Sequence, residues 1–250
     1  MKTYISSQEL SRLKQIGEGT EAIVYRAGKG MLYKVYKNKY YIAIGSEQVK
    51  KCYSPRIIEE AARRQQFIKH STLPLNPLYI DGKFKGCVLK EHRGYGDIYN
   101  INILPQKTKI KLLKQLVLNV KELIEHNIYH VDLSNKSIPG VHKGNVLISL
   151  TGDLQLIDLD GKSTTYTNGF DAQFYQLTIQ TLLALITDLL FELDMDDLYF
   201  EEVMYITEKL KSNGFPMNLA ETIALQRDSS FEEIDEVLEC ASKCKRIIFN

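Results

Sequence analysis

IGEGTEAIVYRAGKGMLYKVY, residues 16–36, is the stretch on which the fold turns. Ile23, Val24 and Tyr25 are strand formers, Gly28-Lys29-Gly30 suits a hairpin turn, and Met31 to Lys37 forms a second strand. Strand signals with short turns therefore run over residues 12–37. Along the second strand Tyr33 and Val35 fall on one face and Lys34 on the other, because side chains alternate. Ahead of the hairpin, Gly17 and Gly19 on a tight turn between strands let backbone N–H groups approach phosphate oxygens. A lone Gly-x-Gly fits an ordinary hairpin as well. Its place just before Val24-Tyr25 and a second strand favours the phosphate loop. Lys34 reads either as a solvent-facing strand residue or as a cation held against phosphates.

Working outward, Pro55 opens a helix over Arg56–Lys69, rich in Glu, Ala, Arg and Gln, and Pro74 and Pro77 end that region. Residues 78–90 read as two strands around Asp81-Gly82-Lys83. A buried Lys34 needs a carboxylate partner, because an unpaired ammonium is costly away from water. Glu59 and Glu60 on the helix are the candidates, and Glu60 is preferred. Beyond Lys90–Gly94 the pattern changes. Leu113, Leu116, Val117, Val120 and Ile124 recur at helical spacing between Thr108 and Asn127. Two apolar runs, Asn145–Leu150 and Leu154–Leu159, flank Thr151-Gly152-Asp153 as a hairpin. From Asp171 onward the patterns are helical. The fold class expected is α+β: residues 1–90 an antiparallel sheet with one helix, residues 91–250 mostly helical.

Three short segments in the second part carry chemistry: His130-Val131-Asp132-Leu133, His142-Lys143-Gly144-Asn145-Val146-Leu147-Ile148, and Leu156-Ile157-Asp158-Leu159-Asp160-Gly161. They gather Asp132, Asn145 and Asp158 around the short hairpin. Asp and Asn oxygens suit Mg²⁺, which takes few protein ligands and fills its shell with phosphate and water. An Asp beside an attacking hydroxyl orients it and accepts its proton. Singly, each residue is turn chemistry; jointly, they are hard to explain that way.

Composition narrows the partners. With 32 basic and 31 acidic side chains, net charge +1, the chain is not built mainly to grip nucleic acid or an anionic membrane. Met1 to Gln8 turns polar at once, unlike a secretory signal. Leu177–Leu193 is apolar but short and broken by Gln180, Thr181 and Asp188, so a buried core helix is expected. Cys52, Cys87, Cys240 and Cys244 are scattered, which argues against a disulfide framework and for a cytoplasmic protein. Cys240 and Cys244 lack further metal ligands nearby and read as half-buried thiols.

The order of glycine loop, strand Lys, helix Glu, His-x-Asp, Asn, then Asp before a turn resembles the protein-kinase superfamily over most of residues 10–190. Ile16-Gly17-Glu18-Gly19 with Val24-Tyr25 is similar to protein kinases. His142-Lys143-Gly144-Asn145-Val146-Leu147 also resembles bacterial kinases of the aminoglycoside and choline type. The resemblance implies a two-lobed fold using ATP and Mg²⁺. Gly17, Gly19 and Val24 would border the nucleotide, and Lys34 would hold its α- and β-phosphates with Glu60 orienting Lys34. Asp132 would be the catalytic base, and Asn145 and Asp158 would hold Mg²⁺. Lys90, Glu91 and His92 would form the hinge that meets adenine. Asp171 would support the backbone of the catalytic loop.

Four departures matter. Ala22 stands at the third loop glycine. Twelve residues, 133–144, separate Asp132 from Asn145 where the family motif has four. The excess is assigned to residues 134–141, with Asn135 the rival metal ligand to Asn145. Val131 replaces an Arg, which removes control through a phosphorylated loop. Only residues 162–170 separate Gly161 from Asp171, and no Ala-Pro-Glu follows. The glycine loop and the complete set of Asp132, Asn145 and Asp158 favour a protein serine/threonine kinase. The truncated segment favours a kinase of a small hydroxylated molecule. The insertion keeps a nucleotide-binding pseudokinase in view. The acceptor is thus a protein or small-molecule hydroxyl, with no nucleic acid and no membrane involved.

Overall fold

The computed structural model of the chain describes residues 2–19, 21–37, 53–133, 145–161, 163–191, 200–225 and 228–244. In order these form β1 (Thr3–Ile5), α1 (Ser7–Ser11), β2 (Lys14–Glu18), β3 (Ala22–Gly28), β4 (Met31–Tyr36) and α2 (Pro55–Arg64). Next come β5 (Asn76–Ile80), β6 (Lys83–Lys90), β7 (Tyr95–Asp97), α3 (Gln106–Glu125), β8 (Ile128–His130), β9 (Val146–Ser149), β10 (Leu154–Leu156) and β11 (Thr164–Tyr166). Four helices follow: α4 (Ala172–Phe191), α5 (Phe200–Ser212), α6 (Met217–Leu225) and α7 (Phe231–Lys243). The architecture is α+β. The chain divides into two units, one of Met1–Tyr95 with Gln155–Asn168, the other of Gly96–Leu154 with Gly169–Asn250.

The first unit carries a six-stranded sheet in the order β1-β5-β6-β4-β3-β2. Five strands pair antiparallel, but β1 runs parallel to β5, so the sheet is mixed rather than antiparallel throughout. A second, short helix also precedes the sheet hairpins. Both differences come from Ser6 and Glu9. The Ser6 hydroxyl accepts from the Glu9 amide at 3.1 Å, and the Glu9 carboxylate accepts from the Ser6 amide at 2.7 Å. That reciprocal cap starts α1 and turns the chain so that β1 can lie along β5. The expected hairpin turns are present: Gly28, Lys29 and Gly30 all have positive φ, as do Asp81 and Gly82.

Side chains alternate across β4 as the period of two requires. Tyr33 and Val35 join Leu78, Ile80 and Val88 against Ile5 and Leu10 on one face. Tyr36 joins Ala22 and Cys87 against Tyr53 and Ile58 of α2 on the other. Lys34 lies directly opposite Cys87 of β6 and so shares the α2 face. Pro55 occupies the first turn of α2 and Ser54 caps it, accepting from the Ile57 amide at 3.3 Å. The helix ends at Arg64, five residues short of the expected Lys69, because a 3₁₀ turn takes over at Gln65–Phe67.

Gly86 is required by close backbone approach. It pairs with Val35, and a Cβ there would stand 1.9 Å from the Lys34 carbonyl oxygen and 2.9 Å from its carbon. Neither atom can swing aside. Gly86→Ala is therefore expected to lower stability by about 1–3 kcal/mol, the usual cost of overpacking. Thermal or urea unfolding reads this directly, and an unchanged midpoint would refute the close approach of β6 to β4.

Segment Gln155–Asn168 is bound into the first unit by backbone bonds. Thr72 donates to the Leu156 carbonyl at 2.8 Å and Leu156 to the His70 carbonyl at 3.4 Å. In the second unit, α3 buries Ile110, Leu113, Leu116, Val117, Val120 and Leu123, and every residue of β8 is buried. Each such aliphatic side chain contributes about 1.5–3 kcal/mol on removal from water. Among the described residues α4 is the one helix long and apolar enough to cross a membrane, yet most of it is buried in the protein. Its Ile179, Leu182, Leu185, Ile186 and Leu189 are wholly enclosed. Cys87, Cys240 and Cys244 are free thiols; Cys52 lies outside the described residues.

Candidate active site

In the first unit the alternation of β4 turns Lys34 inward, where a lysine is rare unless paired. Its ammonium meets two carboxylates, Asp158 at Oδ1 and Asp160 at Oδ2, the latter at 2.9 Å. The two acids differ sharply in exposure: the Asp158 side chain is 40% accessible and that of Asp160 3%. Asp160 Oδ2 also accepts from the Tyr36 hydroxyl at 2.9 Å, and the Cys87 thiol lies 3.8 Å from it. Tyr36 lies tilted against Tyr53, ring centroids 4.2 Å apart, and the Tyr53 hydroxyl donates to Glu21. Asp158 sits at φ 64°, in the left-handed region that costs an L-residue about 1–2 kcal/mol and that Asp tolerates better than most.

Burial works against the charge on Lys34, but Asp160 and then Asp158 outweigh it and hold the ammonium well above the usual lysine range. Burial pushes the Asp160 carboxyl up; Lys34 pulls it back, and the adjacent Asp158 charge adds to the rise. Burial, then the Asp160 charge, raises both Tyr36 and Cys87, so each stays protonated and faces Asp160 as a donor. Among the described residues, two carboxylates thus meet this one ammonium, and the Asp158 side chain is the accessible one of the two. That donor set fits a hard divalent cation.

Glu60 is placed differently from the expectation. Its ion-pair partners are Arg63 and Arg64, the latter through Nε at 2.7 Å, and Lys34 is paired with other acids. The reason is local: residues three and four apart on a helix face each other. The Arg64 bond foremost, with both arginines' charges, holds the Glu60 carboxyl below its usual value. Arg64 also donates to the Thr167 carbonyl at 2.8 Å and lies over the Tyr166 ring at 5.6 Å. Glu60 thus belongs to a clamp between α2 and β11.

At the glycine turn, β2 ends at Glu18 and the Gly19 amide donates to the Ala22 carbonyl at 2.9 Å. A Cβ at Gly19 would meet nothing within 4 Å, and one at Gly17 only Val24 Cβ at 4.0 Å. Val24 lies opposite Lys34 in the β3–β4 ladder. Thr20 is outside the described residues. At the expected hinge, Lys90 ends β6, and the Glu91 amide already donates to the Gly30 carbonyl at 2.7 Å. Glu91 bridges Arg26 at 2.7 Å and Arg93 at 2.8 Å, and the Arg93 bond foremost holds its carboxyl below the usual value. His92 Nε2 meets the Thr72 hydroxyl, and burial followed by the Lys90 charge lowers its pKa.

In the second unit Asp132 follows β8 and Asn145 precedes β9. Asn145 Nδ2 donates to the Asp132 carbonyl at 2.6 Å, and its amide donates to the Leu133 carbonyl at 3.2 Å. One bond therefore joins the two residues that flank the twelve-residue interval, a second ties Asn145 to the first residue of the interval, and the Asp132 and Asn145 side chains are both half-buried. Residues 134–144, with Asn135 and the whole assigned insertion, lie outside the described residues. Asp171 is the N-terminal cap of α4: its Oδ1 accepts from the amides of Gln173 and Phe174, each at 3.1 Å. Its own amide donates to the Tyr129 hydroxyl of β8 at 3.0 Å. Its carboxylate is thus committed to a helix terminus, as capping chemistry favours.

Among the described residues no group of three or more His, Cys, Asp or Glu converges as a metal site. Asn145 is of a residue type outside that set. Asp160, Tyr36, Cys87, Arg64 and Gly86 escaped the sequence reading. For Arg64 the signal was there, an Arg four residues after a Glu. No protein-family model matches the chain, and no curated protein sequence matches it.

Proposed function

We propose that the chain is an ATP- and Mg²⁺-dependent phosphotransferase acting on a hydroxyl group, with a two-lobed protein-kinase-like fold. The observation that carries this reading is Lys34, a buried ammonium held by one enclosed and one accessible carboxylate on a strand beside an open glycine turn. Such an ammonium suits phosphate oxygens, and the accessible carboxylate suits a divalent cation. Gly17 and Gly19 add support: among the described residues a Cβ at Gly19 meets nothing within 4 Å and one at Gly17 only Val24 at 4.0 Å, which suits approach of a phosphate to the backbone.

When bound with ATP, Mg²⁺ would supply neutralisation of the phosphate charge. By the resemblance, Asp158 and Asn145 would hold it. Lys34 holds the α- and β-phosphates. Asp132 accepts the acceptor's proton as the hydroxyl oxygen bonds to the γ-phosphorus and the bridging oxygen leaves with ADP. A protein serine or threonine is the acceptor we favour. The nine residues 162–170 before α4 support a second reading, a small hydroxylated acceptor, because they leave little chain to dock a peptide.

The test is transfer from labelled ATP with Mg²⁺. Label entering protein is expected. Turnover only with a small alcohol or sugar would select the second acceptor, and nucleotide binding without turnover in either arm would leave a pseudokinase.

A further inference from the structure

We infer that Asp160 is the permanent positioning partner of Lys34, and that Asp158 is the exchangeable one, so that the Glu60 carboxylate is dispensable for nucleotide binding. This rests on the phosphotransferase reading above and assigns within it a role that the resemblance gave to Glu60.

Three groups fix Asp160, and all three project from strands of the sheet. Lys34 and Tyr36 are alternate residues of β4, and each lies 2.9 Å from the same oxygen, Oδ2. Cys87, opposite Lys34 on β6, lies 3.8 Å from that oxygen. With its side chain only 3% accessible, Asp160 is enclosed beside Lys34. Asp158 holds the same ammonium from an accessible position on a left-handed backbone turn. A cation can recruit its carboxylate without stranding the lysine, because Asp160 remains. Glu60 is unavailable for this work: Arg63 and Arg64 bind it, and Arg64 is tied in turn to Thr167.

The experiment measures ATP affinity by calorimetry, with and without Mg²⁺, for the parent and for Asp160→Asn, Asp160→Glu, Asp158→Asn and Glu60→Gln, alongside thermal midpoints. Asp160→Asn is expected to weaken ATP about tenfold or more in both conditions, the scale of a lost bond to a charged group. Asp160→Glu should recover part of that loss. Asp158→Asn should remove the gain in affinity that Mg²⁺ gives and leave Mg²⁺-free binding within a few-fold of the parent. Glu60→Gln should bind like the parent. The inference is overturned if Glu60→Gln loses as much affinity as was expected of Asp160→Asn. That arm alters a half-buried helix position outside the Lys34 cluster and stays readable even if the buried variants do not fold. It is overturned equally if Asp160→Asn lowers the thermal midpoint but leaves ATP affinity unchanged, which is a structural role only. A parent that binds no ATP in either condition sinks the phosphotransferase reading itself.

Discussion

Asp158→Asn is expected to lower Mg²⁺-dependent transfer from ATP by about 10²–10³-fold, the loss seen when a preorganised electrostatic partner is removed from a reacting centre. The protein should stay folded. Asparagine tolerates the φ of 64° found here, so the turn into Leu159 survives. The Lys34 ammonium keeps Asp160, so the penalty of about 3–5 kcal/mol for stranding a buried charge does not arise. What disappears is the Asp158 negative charge and its accessible oxygen. Titrating Mg²⁺ against turnover gives a second signature: the variant should need far more Mg²⁺ for half-maximal rate. Transfer within tenfold of the parent at ordinary Mg²⁺ would remove Asp158 from the metal site.

The parts of this arrangement that sequence made legible are those written in local periodicity. Tyr33-Lys34-Val35 fixes which way the lysine faces, because a strand has only two faces. Gly28-Lys29-Gly30 and Asp81-Gly82 announce turns, because few residues other than Gly, Asn and Asp adopt positive φ cheaply. The apolar spacing in 108–127 gave α3 to within two residues at each end. The strand β1 and helix α1 were missed, although Ser6-x-x-Glu9 is the local signature of a capped start. Gly86 was illegible for another reason. A glycine within a strand reads as a weak point, and only the partner strand reveals that a backbone carbonyl fills the space of its Cβ. Asp160 belongs to the same class. Asp-Leu-Asp-Gly is turn chemistry on its face, and nothing local tells that the second Asp meets Tyr36 and Lys34 some 124–126 positions earlier. Glu60 illustrates the opposite error. Lys34 is distant in sequence, whereas the arginines three and four residues on lie on the same helix face and are the partners Glu60 takes.

Asp132→Asn is expected to lower kcat by about 10²–10⁴-fold, the usual measure of general base help, with the KM for ATP changed by less than about threefold. The separation follows from where Asp132 is held. Its backbone carbonyl accepts from Asn145 Nδ2 at 2.6 Å, and Asn145 in turn bonds the Leu133 carbonyl through its amide. Residues 132, 133 and 145 are therefore held together through groups that the substitution leaves untouched. Asparagine keeps the volume and the oxygen that orients a hydroxyl but cannot take its proton at neutral pH. The loss should fall on turnover rather than on binding, since proton transfer matters only as the new bond forms. Steady-state kinetics at saturating acceptor, with thermal unfolding as the control for folding, make the measurement. A kcat within threefold of the parent would mean that another group accepts the proton. A KM for ATP that rose in step with the fall in kcat would mean that residue 132 acts in nucleotide binding instead.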